Sequence, residues 1–276
     1  MKIRISIDSA CDIPQEIIDE NNISVLPYFV EMGDKEFRDG VNITATDLFK
    51  YVKETGTLPK TGAPSAEMYR EYFEDMIKGY DMAIHFTLSS KMSSSHGNAV
   101  QGAEGMNVKV IDSKHLSSGI ALLVIKCIEK LKEGKDVDTV VDEIEALRDK
   151  VQTSFLIDTL SYMKKGGRCS SVALFASKLF MIKPMIMVDD GAMRVGKKYI
   201  GGINGCLIKY VDDLLKTHKP DKSIVFMTHS SKMDAGEKII QKLKDYGFQT
   251  IYECDASSTI CSHCGPGTLG VLFIDE

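Results

Sequence analysis

Four stretches gather small hydroxyl residues beside acids, prolines or glycines. They are Asp8-Ser9, Pro59-Lys60-Thr61-Gly62-Ala63-Pro64-Ser65, Thr87 to Ser95, and Asp112-Ser113. Three of them follow apolar runs and so fall at strand ends, where open α/β sheets present ligands. Hydroxyls beside free backbone N–H groups at a helix start seat an anion, either a carboxylate or a phosphate. The same residues also serve as plain N-caps, and spacing leaves both readings open. His263 precedes Gly265-Pro266-Gly267. Those glycines let backbone approach a ligand closely, so His263 is either a donor to a bound acid or a turn residue. Lys164, Lys165 and Arg168 surround Gly166-Gly167 in a compact basic turn. That turn is either solvated or a docking point for an acidic partner or a phosphate.

Other chemistries fit less well. A nucleophilic serine wants a Gly-x-Ser-x-Gly elbow. Ser93, within Lys91-Met92-Ser93-Ser94-Ser95, lacks the glycines. Gly191 to Lys198 nearly spells a phosphate loop, but Lys198 stands where Ser or Thr must hold magnesium; it reads as a hairpin. Cys254, Cys261, His263 and Cys264 suggest zinc, yet no second pair matches Cys261-Ser262-His263-Cys264. Neither a metal nor a catalytic set is expected.

The elements that must position these residues alternate between strand and helix, the pattern of an α/β protein. Ile3, Ile5 and Ile7 alternate with polar residues and predict a strand ending at Asp8-Ser9. A helix is expected from Pro14 to Glu20, with proline in its first turn. Ile23 to Val30 predicts a strand that Pro27 makes irregular or an edge. Helices follow over Thr46 to Glu54 and Ser65 to Lys78. The second has Ser65 as N-cap and Met68, Tyr72, Phe73 and Met76 as its buried stripe. Strands at Met82 to Phe86 and Asn107 to Ile111 come next, with helices near His96 to Gln101, over Ile120 to Leu131 and over Val137 to Leu147. Near residue 152 the pattern changes. A strand at Phe155 to Ile157 and a helix over Val172 to Leu179 precede two apolar runs around Asp189-Asp190-Gly191, a hairpin signal. Helices over 204–216 and 233–246, and strands at 224–227, 250–252 and 269–274, complete the chain. The expectation is α/β with two domains: a parallel α/β/α domain over 1–152, and an α/β domain with a mixed or antiparallel sheet over 153–276. The segment near Pro59 to Ser65 is expected to pack into the second.

Composition agrees with a globular protein. The 276 residues are 43% hydrophobic and 26% charged, with a net charge of −5, which disfavours a nucleic-acid partner. No apolar stretch reaches the ~18–20 residues of a membrane helix. Met1-Lys2-Ile3-Arg4-Ile5 shows no signal-peptide core, and seven scattered cysteines fit reduced thiols. A cytoplasmic protein without stable membrane insertion is expected.

Taken together, these motifs resemble the DegV family, whose members include the fatty-acid-binding subunit of bacterial fatty acid kinase. The resemblance spans essentially the whole chain. It rests on Asp8-Ser9-Ala10-Cys11-Asp12-Ile13, Phe37-Arg38-Asp39-Gly40, Pro59 to Ser65, Ser89 to Ala99 and Val110-Ile111-Asp112-Ser113. It continues through Lys164 to Arg168, Ile182-Lys183-Pro184, Asp190-Gly191, His229, and His263 to Gly270. Four positions depart from the usual pattern: Gly62, Ser94, Cys264 and Ile200. The resemblance implies a long-chain fatty acid held with its carboxylate against Thr61 and Ser93, with Ser94 and His263 beside them. It implies a partner kinase, docked near Lys164, Lys165 and Arg168, that phosphorylates the carboxylate while this chain acts as carrier without a cofactor. A sixteen-carbon chain gains about 11 kcal/mol at roughly 0.8 kcal/mol per buried methylene, which demands an enclosed apolar tunnel. Among the 14 methionines, Met68, Met76, Met181, Met185 and Met187 are candidates for its flexible lining. Two other functions compete: a lipid sensor without kinase coupling, and a Ser/His hydrolase or phosphotransferase.

Overall fold

The computed structural model describes residues 1–169 and 181–276; the expected helix over Val172 to Leu179 lies outside them. Pro27 explains the first departure from the expected order. It has no N–H for a ladder, so the apolar run from Ile23 breaks in two. Ser24–Leu26 (β2) stays beside Ile3–Asp8 (β1), while Phe29–Met32 (β3) leaves for another sheet. With Met82–Thr87 (β6) and Val108–Asp112 (β7), the first pair forms a wholly parallel sheet in the order β2-β1-β6-β7. Lys35–Arg38 (β4) and Lys60–Gly62 (β5) flank β3 in a small antiparallel sheet. The helices of this half are Gln15–Glu20 (α1), Ala45–Thr55 (α2), Ala66–Met76 (α3) and Ser95–Gly102 (α4). Ser65 caps α3 by accepting from the Met68 N–H, as expected. Its buried stripe is Tyr69, Phe73 and Met76; Met68 sits one position off that face and is half-buried.

Ser118–Lys132 (α5) and Val137–Leu147 (α6) follow. Helix α5 touches β6 and three strands of the second large sheet, β8, β12 and β14, so nearly all of its first two turns are buried. A helix apolar all round fits this sandwiched position. Among the described residues the second sheet has seven strands and mixed pairing. Val151–Gln152 (β8), Ser154–Leu156 (β9), Ile182–Asp189 (β10), Ala192–Ile200 (β11), Pro220–His229 (β12), Thr250–Asp255 (β13) and Leu269–Asp275 (β14) build it. Only β12 and β13 run parallel within it. Among the described residues its helices are Ser161–Gly166 (α7), Ile203–Thr217 (α8), Gly236–Tyr246 (α9) and Ser258–Cys264 (α10). The basic turn expected at Lys164 to Arg168 is thus the last turn of a short helix, which Gly167 ends in the left-handed conformation.

The Asp-Gly signal forms the tip of the β10–β11 hairpin. Asp190 and Gly191 both have positive φ, at 44° and 77°, as a two-residue type I′ turn needs. A Cβ on Gly191 would come within 2.8 Å of Ser89 Oγ, which donates to the Gly191 carbonyl at 2.7 Å. Lys91 and Lys114 reach Asp190 at 2.6 and 3.1 Å. The second sheet's hairpin is therefore fastened to the strand ends of the first.

Candidate functional site

Helix α10 was not legible in the sequence, yet the site is built on it. Its N-terminus is held by two buried carboxyls from the other half of the chain. The Ser257 N–H donates to Asp12 (2.9 Å). The Ser258 and Thr259 N–H groups donate to Asp39 (2.9 and 3.3 Å). These are the first-turn donors that a helix cannot satisfy itself. Asp39 also accepts from Ser9 Oγ at 3.0 Å, and the Tyr28 N–H donates to that same oxygen. At the other end the Thr268 hydroxyl donates to the Cys264 carbonyl. So fixed, α10 directs His263 at β5, where Nε2 lies 2.8 Å from Thr61 Oγ1. Behind the ring, a Cβ on Gly166 would meet Nδ1 at 2.5 Å; only glycine lets α7 come so close. Among the described residues Nδ1 has no hydrogen-bond partner.

Thr61 and His263 share a cavity of about 270 Å³ with Ser93, Ser94, Tyr28 and Arg168. Ser93 is held from behind. The Ser95 N–H donates to its oxygen at 3.2 Å, and Tyr28 Oη lies 3.3 Å away. Tyr28 in turn donates to buried Asp8, which also accepts from the Tyr69 hydroxyl and the Leu88 N–H. Leu88, Met92, Leu116, Phe155, Met163, Met193 and Ile260 supply apolar wall. The lining therefore combines hydroxyl side chains with hydrocarbon wall. Among the described residues that line it, Arg168 is the one with a charge. Burial, and secondarily the Arg168 charge, push the His263 imidazole down to about 4, so it is neutral at pH 7.

The four head-group candidates, Thr61, Ser93, Ser94 and His263, thus come to one cavity, with Ser94 exposed at its rim. The five methionines expected to line a tunnel do not border it. Met181 and Met187 are exposed, and Met76 packs beneath α3 with Tyr69 and Phe73. Met68 is half-buried on α3. On β10 the inward place belongs to Ile186, wholly buried, so Met185 and Met187 face the other way. Met92, Met163 and Met193 line the cavity instead. Lys164 and Lys165 are exposed, whereas Arg168 belongs to the cavity wall as well as to the basic turn. Tyr28, Asp12 and Asp39 were missed as site-building residues, although the two acids lie inside motifs already singled out.

A Ser–His–Asp chain does exist. Ser6 Oγ is 2.8 Å from His85 Nδ1, and His85 Nε2 is 3.3 Å from Asp8. All three are fully buried, and none borders the cavity. The cavity's own Ser93 has a tyrosine and a backbone N–H beside it rather than a general base. No group of His, Cys, Asp and Glu able to hold a metal occurs among the described residues, and none of their helices is long and apolar enough to cross a membrane.

Asp12 makes this architecture sensitive to pH. Burial raises its carboxyl from 3.8 to about 7, against the lowering effect of hydrogen bonds from Ser117 and Ser257. Between those two values the folded chain keeps a proton that the unfolded chain loses, so rising pH destabilises the fold. Relative to Asp12→Asn, wild-type stability is expected to fall by up to about 1.4 kcal/mol per pH unit between pH 4 and 7. Urea titrations at several pH values measure this; parallel curves for the two proteins contradict it.

The family model for uncharacterised proteins of the DegV family matches residues 2–276. A DegV domain-containing protein of Clostridium acetobutylicum is 30% identical over 279 residues, covering 100% of this chain and 99% of its own. A DegV family protein from Thermus thermophilus, whose structure concerns fatty acid binding, superposes with a TM-score of 0.89 at 26% identity, over 100% of both chains. A stearic acid-binding protein from Eubacterium ventriosum superposes with a TM-score of 0.87 at 25% identity, over 99% of this chain and 98% of its own. The paired parallel and mixed sheets are the fold these proteins share, and the chain belongs to the DegV family.

Proposed function

We propose that this protein binds a long-chain fatty acid in the cavity and carries it with the carboxylate at Thr61, Ser93 and His263. The observation that carries this reading is a single cavity whose lining combines the hydroxyls of Thr61, Ser93, Ser94 and Tyr28 with a wall of hydrocarbon side chains. The fatty acids named for structural neighbours support it. In this reading Nε2–H of neutral His263 donates to Thr61 Oγ1, which frees the Thr61 hydrogen for the ligand. The Tyr28 proton is committed to Asp8, so Ser93 keeps its own hydrogen for the second carboxylate oxygen. Ser94 and Arg168 border the same cavity. The acyl chain extends over Met92, Met163 and Met193, between an N-terminal domain (1–152) and a C-terminal domain (153–276). Hydroxyls hold the carboxylate without neutralising it, leaving an oxygen able to attack a phosphoryl donor. The chain is therefore a carrier rather than the catalyst. A partner kinase, docking over Lys164, Lys165 and Arg168, forms the acyl phosphate.

The head-group assignment is tested by comparing palmitate with its methyl ester. The acid should bind at least about tenfold more tightly, the scale of one hydrogen bond to a charged group; equal affinities refute the assignment. Kinase coupling is tested with loaded protein, ATP and a fatty acid kinase catalytic subunit. Acyl phosphate should form only when all three are present. Lipid that binds but is never phosphorylated turns the reading towards a sensor.

A further inference from the structure

Behind the main cavity lies a second, much smaller space of about 30 Å³. Leu116, Phe155, Ile260 and Cys264 wall both. The polar residues Thr61, Ser93 and His263 border only the larger one, so the small space lies off its apolar part. Four hydroxyl residues also line the small space, but each is committed to the protein. Ser117 donates to Asp12, and Thr228 pairs with Ser118. Ser230 and Thr268 donate to the carbonyls of Thr268 and Cys264. With those hydrogens taken, the space has little to offer water, and small apolar voids of this kind stay dry. A dry apolar seat suits a hydrocarbon end. Phe155 is the largest of the four shared side chains. It stands on β9 between β10 and β14, paired with Ile186 and Gly270, and is 7% exposed.

We propose that the small space receives the methyl end of the acyl chain, and that the Phe155 ring between the two spaces sets the longest chain that fits. This specificity role rests on the fatty-acid reading given above. Each methylene that finds a dry seat is worth about fourfold in affinity, so removing the ring changes selection among chains that differ by two or four carbons.

The test offers delipidated protein an equimolar mixture of saturated C12 to C20 acids, then extracts and quantifies what is bound. In Phe155→Ala the ratio of bound C20 to C16 is expected to rise about tenfold or more over wild type. Ala256→Val adds two methyl groups to a residue that lines only the small space, and should shift the profile about tenfold towards shorter chains. Unchanged profiles in folded variants overturn the proposal, as does a shift of both variants in one direction. Should Phe155→Ala fail to fold, Ala256→Val decides alone, and an unchanged profile then refutes the subsite. Absence of bound acid in wild type itself would sink the fatty-acid reading and this inference with it. Binding by wild type with unaltered variants sinks only the inference.

Discussion

Replacing Thr61 by valine and Ser93 by alanine together is expected to lower palmitate affinity by about a hundredfold or more while the protein stays folded. Each hydroxyl gives the carboxylate a hydrogen bond, and bonds to charged groups contribute about 1.5–3 kcal/mol each. Two at the low end multiply to about 150-fold. Valine keeps the shape of threonine, so the loss reports chemistry rather than packing. Thr61 is half-buried, and its other partner, His263 Nε2, loses an acceptor in the variant. Thr61→Ser should restore most of the binding in the Thr61 single background. Calorimetry or displacement of a fluorescent fatty acid measures the effect. A double variant that binds within threefold of wild type contradicts the assigned head-group seat.

Asp39→Ala is expected to be the most damaging single change, costing about 3 kcal/mol or more of stability. The carboxyl accepts from two N–H groups of α10 and from the Ser9 hydroxyl. Alanine leaves these donors buried and unpaired, each at about 1–3 kcal/mol. The same change frees the start of the helix that carries His263, so fatty-acid affinity should fall in parallel. Asp39→Asn keeps an acceptor oxygen and should lose about half as much. Urea unfolding at pH 7 gives the comparison. A midpoint for Asp39→Ala equivalent to less than 1 kcal/mol of loss contradicts the view that Asp39 holds α10 in place.

The parts of the fold carried by local periodicity were legible in the sequence. Ile3, Ile5 and Ile7 marked β1 and Asp190-Gly191 marked the hairpin, whereas Pro27, expected to make one strand irregular or an edge, splits that run into β2 and β3. What escaped was set by packing at a distance. Helix α10 is seven residues, rich in Ser and Cys and buried on most sides, so it shows no amphipathic stripe. Strand β4 reads Lys-Glu-Phe-Arg and looks like solvent-facing loop; only its pairing with β3 makes it a strand. Thr61 and His263 lie 202 residues apart. Their juxtaposition followed from the family resemblance and from no spacing rule. The lining methionines were misassigned because composition counts them but does not aim them. Met92 comes from a loop after β6, Met163 from α7 and Met193 from β11, and they meet only once both large sheets are in place. On α3 Phe73 and Met76 face the core as expected, while Tyr69 takes the place assigned to Met68, and Tyr72 is half-buried.

If this chain carries one fatty acid in its cavity, the acid should travel with the purified protein. Native mass spectrometry of the purified protein, followed by denaturation and lipid extraction, tests it most directly. A stoichiometric fatty acid, retained in the native ion and released on unfolding, is the predicted result. An apo mass that stays unchanged after incubation with C14 to C18 fatty acids would contradict it.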